Sequence, residues 1–287
     1  MKTTNLISFK SLQTSKFWLL GITSGLIAIH LTLTWRAEDS SLWGVSALFW
    51  LAVGSMLWSK RETLNLESSA IASTLGTILV ALVLVKSIFI SGYDPFIRVF
   101  PVISGLGIAL LASGLQGLKQ YWQELLILCF IAPSPGLLSL VIDISLLTAK
   151  FATAVLWYAG FDVSRQGVYV AVPSGVVEVY SGCSGIETML QLLGLALVFL
   201  VMFPTNKIAK IVVPVVAVSI AFVVNGLRVA LLAVLSAPNN KPAFEYWHKG
   251  DGSLVFSTIA VLIFGLFCLF LLRQNQSDDE SSQIEEL

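Results

Sequence analysis

Three reactive side chains lie far apart in a chain that has few polar residues. Cys183 precedes a long apolar segment, Arg228 lies inside a second one, and His248 comes just before a third. Only 12% of the residues are charged, and the chain has two histidines and three cysteines. A thiol, a guanidinium and an imidazole are the groups that acyl transfer through a cysteine nucleophile requires. The sequence therefore predicts cysteine-based chemistry, provided that the fold brings the three residues together on one side of a membrane.

Cys183 has the surroundings of a nucleophile. A helix is predicted to begin near Ser184, and the dipole and amide donors at its N-terminus favour the thiolate. Gly182 and Gly185 leave room for the backbone of a substrate to approach the sulfur. The alternative interpretation is a small residue in a tight loop.

Arg228 lies within an otherwise apolar predicted helix. Inserting an arginine at such a depth costs about 2.5–3.5 kcal/mol, so an arginine there indicates a function. Asn225 precedes it by one helical turn and shares its face. The guanidinium could stabilise an oxyanion. A structural ion pair or a contact with a lipid phosphate is the alternative.

His248 lies beside Tyr246 and Trp247, and such aromatic residues are typical of the headgroup level of a membrane. A histidine at that boundary can act as a general acid or base near neutral pH. Because a cysteine and an arginine are predicted on the same side, we predict a catalytic role for it. His30 lies among apolar residues, and we expect it to form an interhelical hydrogen bond.

The remaining residues indicate no second site. Cys129 and Cys268 lie in apolar runs and are expected to be small buried hydrophobic residues. Glu187 follows Cys183 by one turn, and its pairing with Arg228 or with another helix is left open. No metal-ligand spacing, phosphate loop or serine elbow is present in the sequence, so we expect no metal and no cofactor. A net charge of zero gives no indication of a nucleic-acid partner.

The elements that position these residues are predicted to be membrane-spanning helices. Hydrophobic residues make up 56% of the chain and occur in runs of about 20 residues. Backbone groups in lipid must be satisfied internally, which favours helices. We therefore predict an all-α polytopic membrane protein with about eight transmembrane helices. The predicted spans are 17–34, 42–58, 69–91, 99–118, 122–135, 184–203, 211–236 and 254–272.

Residues 17–273 are predicted to form a single polytopic membrane domain, with a catalytic core at about 133–272. Residues 1–16 carry three lysines and no acid, and we expect them to form a cytoplasmic segment before a retained first helix. Residues 274–287 are expected to form an acidic cytoplasmic tail, solvated and disordered from Ser277.

The loop charges predict the orientation. A cytoplasmic N-terminus places nine basic loop residues inside and six outside, in agreement with the positive-inside rule. If both termini lie on the cytoplasmic side of the plasma (inner) membrane, Cys183 and His248 lie at the extracytoplasmic interface and Arg228 lies about two turns below it. Termini on the same side require an even number of crossings, so 122–159 must cross the membrane only once. We take 122–135 as the crossing and 137–159 as an amphipathic helix at the outer surface; the alternative is a re-entrant 122–135 with 137–159 crossing.

The segment before Cys183 has a different periodicity. Valines recur at every second residue in 168–172, and Pro173-Ser174-Gly175 marks a turn before a second alternating run. This pattern predicts a short extracytoplasmic β-hairpin that leads into Cys183. An irregular connector is the alternative.

Three short motifs, in this order, resemble the exosortase/archaeosortase family of membrane cysteine peptidases, and more narrowly the cyanobacterial exosortases. The resemblance runs from about Pro133 to Leu272, and the N-terminal half is similar only in hydropathy. The motifs are Cys183-Ser184-Gly185-Ile186, then Asn225-Gly226-Leu227-Arg228-Val229, then His248 followed by Gly250 or Gly252 and a final helix.

The resemblance implies a role for each motif. Cys183 is expected to be the nucleophile, Arg228 the transition-state stabiliser and His248 the partner in proton transfer. The residues of the same motifs that are expected to support them are Asn225, Ser184 and Gly185.

The resemblance also implies a class of substrate. Exosortases process exported proteins that carry a C-terminal Pro-Glu-Pro signal, a transmembrane helix and a basic cytoplasmic end. Glu187 stands where many members have a basic residue. Two other functions fit the residues: a non-enzymatic transporter or scaffold that binds an anion through Arg228, and a membrane acyltransferase. Whether water or another amine resolves the thioester is left open.

Overall fold

The computed structural model describes residues 15–285, and within them all side chains except those of residues 15, 16, 238, 251 and 275–285. Most of the predicted cytoplasmic segment 1–16 lies outside this range. The α-helices are α1 (Ser15–Arg36), α2 (Ser40–Ser59), α3 (Ala70–Ile88), α4 (Phe96–Gly117), α5 (Trp122–Cys129), α6 (Pro135–Ser139), α7 (Ser145–Tyr158), α8 (Ile186–Met202), α9 (Ala209–Val234), α10 (Lys241–His248) and α11 (Asp251–Glu285). The strands are β1 (Ser164–Gln166), β2 (Tyr169–Val172) and β3 (Gly175–Glu178).

The predicted class, an all-α polytopic membrane protein, is confirmed, but the number of long helices is lower than predicted. Among the described residues, six helices are long and apolar enough to cross a membrane, and α8 is an apolar helix of 17 residues. The six are Phe17–Arg36, Ser40–Ser59, Ala70–Ile88, Phe96–Cys129, Ala209–Val234 and Gly252–Gln274.

The segment 122–135 does not form a separate spanning helix. Its helix, α5, has eight residues, a rise of about 12 Å against a hydrocarbon core of about 30 Å. A 3₁₀ turn at Leu118–Tyr121 joins it to α4. The prediction that 122–135 crosses the membrane by itself is therefore wrong.

The predicted amphipathic helix 137–159 is two helices. The amide of Ser145 donates to the Asp143 carboxylate (2.9 Å), and this local bond precedes the first turn of α7. The exposed side of α7 carries large apolar side chains such as Trp157, and Lys150 is its one charged residue. The prediction of one amphipathic helix over 137–159 is wrong.

The predicted hairpin is present and has a third strand. β2 pairs antiparallel with β3, with Val172 opposite Gly175, and β1 pairs antiparallel with the other edge of β2. The alternation predicted from the valines places Val170 and Val177 in the core, while Val176 is exposed.

The described part of the chain forms two compact units, which divide between Ser134 and Pro135. The single membrane domain remains a prediction. In the second unit α11 continues to Glu285, so the prediction of a disordered tail from Ser277 is wrong for the backbone of these residues.

In the first unit, His30 forms the interhelical hydrogen bonds that the sequence predicted. Trp50 Nε1 in α2 donates to His30 Nδ1 (3.0 Å). His30 Nε2 lies 3.0 Å from the carbonyl oxygen of Ile97 in α4, and the Trp50 bond makes Nε2 the nitrogen that donates. The ring also stacks on Phe100. Three helices therefore meet at one buried polar group.

The two cysteines outside the candidate site differ from each other. Cys268 is buried in α11, as predicted. Cys129 is exposed at the end of α5, so the prediction that it is buried is wrong. An exposed thiol in an apolar segment is compatible with lipid contact, because free cysteine behaves as a small hydrophobic residue.

In the second unit, α9 is the central element. One face packs against α8 and α11 through small residues that include Ala217 and Ala221. Another face packs against α7 and the inner side of the sheet through Val229, Ala230 and Ala233. Small side chains allow helix backbones to approach closely, and α9 can therefore contact elements on several sides.

In the first unit, α3 and α4 approach closely at two glycines. A Cβ atom on Gly76 would lie 2.7 Å from the carbonyl oxygen of Gly107 and 2.9 Å from Leu111 Cγ. Real Cβ atoms do not make contacts this short, so the packing of the two helices requires glycine here.

We predict that Gly76→Ala lowers the free energy of unfolding by about 1–3 kcal/mol, because the added methyl group overpacks the α3–α4 contact. The control is Gly54→Ala in α2, where nothing lies within 4 Å of the added Cβ. That variant should be neutral or stabilising by up to about 1 kcal/mol. Thermal unfolding in detergent measures both, and equal stability of the two variants would contradict the predicted packing.

Candidate active site

Cys183 lies in a short 3₁₀ turn, Ser181–Cys183, which follows the last strand. The Cys183 amide donates to the Tyr180 carbonyl (2.9 Å), which closes this turn. α8 begins at Ile186, two residues later than the predicted start, after Gly185. The thiol is therefore held just before the N-terminus of α8 and not within its first turn.

Gly185 allows the turn to lie against α9. Its φ of +99° is in the left-handed region, which favours glycine. A Cβ at this position would lie 2.8 Å from Asn225 Nδ2. Asn225 Nδ2 in turn donates to the Cys183 carbonyl oxygen (2.9 Å). Both supporting residues thus hold the backbone of the thiol-bearing turn on α9.

Ser184 and Thr148 complete the support of this turn. The Ser184 hydroxyl donates to the Ser181 carbonyl (2.7 Å), and the Thr148 hydroxyl in α7 donates to the Ser184 carbonyl (2.8 Å). Both side chains are fully buried. Most buried side-chain polar groups in proteins have a hydrogen-bond partner, and here the bond of Thr148 fixes the turn to α7 as well as to α9.

His248 is the last residue of α10, and Arg228 of α9 binds the backbone there. Arg228 Nη2 donates to the His248 carbonyl oxygen (2.6 Å), and Nε lies 3.4 Å from the Trp247 carbonyl oxygen. The last carbonyl groups of a helix have no partner within the helix and favour a cation. Arg228 therefore caps α10 and holds the residue that carries the imidazole.

The structure brings the sulfur and the imidazole into contact. Cys183 Sγ lies 3.2 Å from His248 Nε2. Cys183 is buried, and His248 is partly exposed. The ring centroids of Phe244 and Tyr180 lie 5.2 and 6.4 Å from that of the imidazole. A nucleophile and a base within hydrogen-bond reach are the arrangement that covalent catalysis requires.

The electrostatic surroundings keep the imidazole neutral. Burial lowers the pKa of His248, and the positive charges of Arg228 and Lys249 lower it further. The ordinary histidine pKa is about 6.5, so the neutral form predominates at neutral pH. A neutral imidazole at this distance can accept the thiol proton.

All six residues that the sequence predicted for the site lie in the second unit, and each takes part in this arrangement or supports it. Glu187 lies exposed in the first turn of α8. Two further contacts involve residues that the sequence did not single out, Thr148 and Tyr180. Among the residues that the structure describes, no cluster of three His, Cys, Asp or Glu side chains could hold a metal ion.

The fold and the site together define a multi-pass membrane protein with a cysteine–histidine contact beside an arginine. A family model described as transmembrane exosortase (Exosortase_EpsH) matches residues 35–265. This match covers well over half of the chain, and the chain belongs to the transmembrane exosortases. The match begins far before Pro133, so the similarity extends further towards the N-terminus than the motifs indicated. No curated protein and no solved structure matches the chain.

Family membership supports a general role as a membrane peptidase in the processing of sorting signals.

We predict that Lys249→Gln raises the pKa of His248, because it removes one of the charges that lower it. The acid limb of the pH–rate profile for alkylation of Cys183 should move to higher pH by about 0.2–0.5 unit at low ionic strength. The measurement uses a Cys129→Ala/Cys268→Ala background, so that only one thiol reacts. Lys241→Gln, at the opposite end of α10, is the control and should leave the limb in place. A shift to lower pH, or the same shift in the control, contradicts this assignment.

Proposed function

We propose that this exosortase is a membrane-embedded cysteine peptidase/transpeptidase that acts through a thioester on Cys183. The observation that supports the proposal is the 3.2 Å distance between Cys183 Sγ and His248 Nε2. The charge of Arg228 lies beside this pair, and its hydrogen bonds reach the backbone of His248. A thiol, a base and a cation gathered in this way suit acyl transfer.

The proposed reaction has two halves. His248 accepts the Cys183 proton, the sulfur attacks the carbonyl carbon of the substrate, and the positive charge of Arg228 stabilises the oxyanion that forms. The imidazolium then protonates the leaving amine as the C–N bond breaks, which leaves a thioester. Water or a second amine attacks the thioester and regenerates the thiol. Arg228 also positions His248, because it binds the carbonyl of that residue.

The proposed substrates are exported proteins that carry a C-terminal Pro-Glu-Pro-type signal followed by a transmembrane helix and a basic end. The resemblance of the three motifs to the cyanobacterial exosortases supports this class. The loop charges, which predict a cytoplasmic N-terminus, support an extracytoplasmic site in the plasma (inner) membrane, provided that the chain crosses once within 122–159. A site at that interface suits a substrate whose own transmembrane helix places the scissile bond at the same level.

We predict that Cys183→Ala abolishes processing of a co-expressed substrate of this class, with a loss on the order of 10³-fold or more. Immunoblotting of membrane-bound and released substrate measures the loss. Cys268→Ala, which removes another buried thiol, is the matched control and should process normally. Normal processing by an inserted and folded Cys183→Ala variant would falsify the mechanism.

Arg228→Lys separates the peptidase from an anion-binding transporter or scaffold. The two bonds of Arg228 to neighbouring carbonyls use the planar fork of the guanidinium, which a lysine ammonium cannot reproduce. We predict a loss of processing of at least about tenfold, or about 1.4 kcal/mol. Arg165→Lys, at an exposed arginine that also binds a carbonyl, is the control. Full activity in Arg228→Lys together with a dispensable Cys183 would instead favour anion binding.

A membrane acyltransferase would use the same three groups on a different acyl donor. Profiling of released products distinguishes the two reactions. The proposed peptidase yields a substrate protein that lacks its C-terminal helix, whereas an acyltransferase leaves that helix attached.

A further inference from the structure

Tyr180 packs against both members of the proposed catalytic pair. Its ring stands edge-on to the imidazole of His248, with the centroids 6.4 Å apart and the planes at 88°. Its carbonyl oxygen accepts the hydrogen bond of the Cys183 amide. A Cβ atom on Gly182 would lie 2.6 Å from Tyr180 Cε2. Glycine at 182 therefore lets the ring lie directly over the turn that carries the thiol.

The hydroxyl group of Tyr180 is close enough to the Cys183 thiol to interact with it. Interaction with the Cys183 thiol, burial and the charge of the thiolate raise the pKa of Tyr180, while the positive charge of Arg228 lowers it. The ordinary tyrosine pKa is already about 10, so the hydroxyl remains protonated at physiological pH. Tyr180 is half exposed. A permanent hydrogen-bond donor thus lies beside the turn that carries the reacting sulfur, on a side chain that a substrate can reach.

Two of the three nitrogens of Arg228 bind backbone carbonyl groups. Its Nε and Nη2 groups are directed at the carbonyl groups of Trp247 and His248. The guanidinium contributes its charge to the site, but these two bonds turn that edge of the fork towards the end of α10. Stabilising an oxyanion requires a donor aimed at the position that the oxygen will occupy.

We propose that Tyr180 is a further catalytic residue, whose hydroxyl donates a hydrogen bond to the oxyanion of the tetrahedral intermediate. This role rests on the proposed function of Cys183 as the nucleophile. When the S–C bond forms, the π electron pair of the carbonyl moves to its oxygen, which is bonded to the same carbon as the sulfur. Because the oxygen and the sulfur share this carbon, a donor beside the thiol lies near both atoms.

The proton balance is complete without transfer from the phenol. Tyr180 keeps its proton throughout and only donates a hydrogen bond to the oxygen. When the intermediate collapses, the C=O bond re-forms and the C–N bond breaks. The amine takes the proton that His248 accepted from the thiol. Tyr180 therefore stabilises charge, and His248 carries the proton.

The test is Tyr180→Phe, which removes the hydroxyl and retains the ring that packs on Gly182 and His248. We expect kcat for processing to fall about 10²–10³-fold, the typical effect of losing one oxyanion donor, with little change in KM. Tyr169→Phe is the matched control, because that tyrosine on β2 is exposed to the same degree, 46% against 47%. It should retain full activity.

Alkylation of Cys183 by iodoacetamide separates the proposed role from positioning of the thiol. This reaction uses the same nucleophile and forms no oxyanion, so its rate should change little in Tyr180→Phe. Processing rates are expressed per alkylatable Cys183, which corrects for any misfolded fraction. Unchanged kcat, or an equal fall in alkylation and processing, overturns the proposal. If Cys183→Ala still processes substrate, the proposed peptidase function is wrong. If Cys183→Ala is inactive and Tyr180→Phe is fully active, only the proposed role of Tyr180 is wrong.

Discussion

The polar side of α9 must form hydrogen bonds inside an apolar helical unit, and the rest of the site depends on this requirement. An unsatisfied amide or guanidinium in such surroundings costs several kcal/mol. Asn225 is satisfied by the carbonyl of Cys183, and Arg228 by the carbonyls at the end of α10. The turn that carries Cys183 and the end of α10 are thus both hydrogen-bonded to α9, at positions one helical turn apart. The contact between the thiol and the imidazole follows from these ties.

The packing of α9 gives these hydrogen bonds a rigid base. Gly226, between Asn225 and Arg228, allows α7 to approach so closely that an added Cβ would lie 2.2 Å from the Phe151 ring. α7 in turn supplies the Thr148 hydroxyl to the turn after Cys183. The sheet packs its valines on α7 and α9 and leads into the same turn. Each element that carries a reacting group is therefore held by at least one other element of the unit.

Much of this arrangement could be predicted from the sequence because polar residues are rare in it. A lone arginine in an apolar helix indicates a function because its insertion into a membrane costs free energy. A cysteine near two glycines differs from the cysteines in apolar runs. The contacts of Thr148 could not be predicted, since they depend on how α7 packs against a turn that is distant in the chain. Tyr180 is close to Cys183 in sequence, but only the 3₁₀ turn directs its ring towards His248. The break at Asp143 and the kink at Gly114 were not predicted, because a local hydrogen bond and a positive φ do not alter hydropathy.

The most direct test of the central claim is mass spectrometry of Cys183 from cells that co-express a candidate substrate, after rapid acid quenching. The account predicts a hydroxylamine-sensitive adduct on the peptide that contains Cys183, with the mass of the acyl portion of the cleaved substrate. The peptides that contain Cys129 and Cys268 should carry none. Efficient processing with an unmodified Cys183 at every quench time, or an adduct on a different residue, would contradict the account.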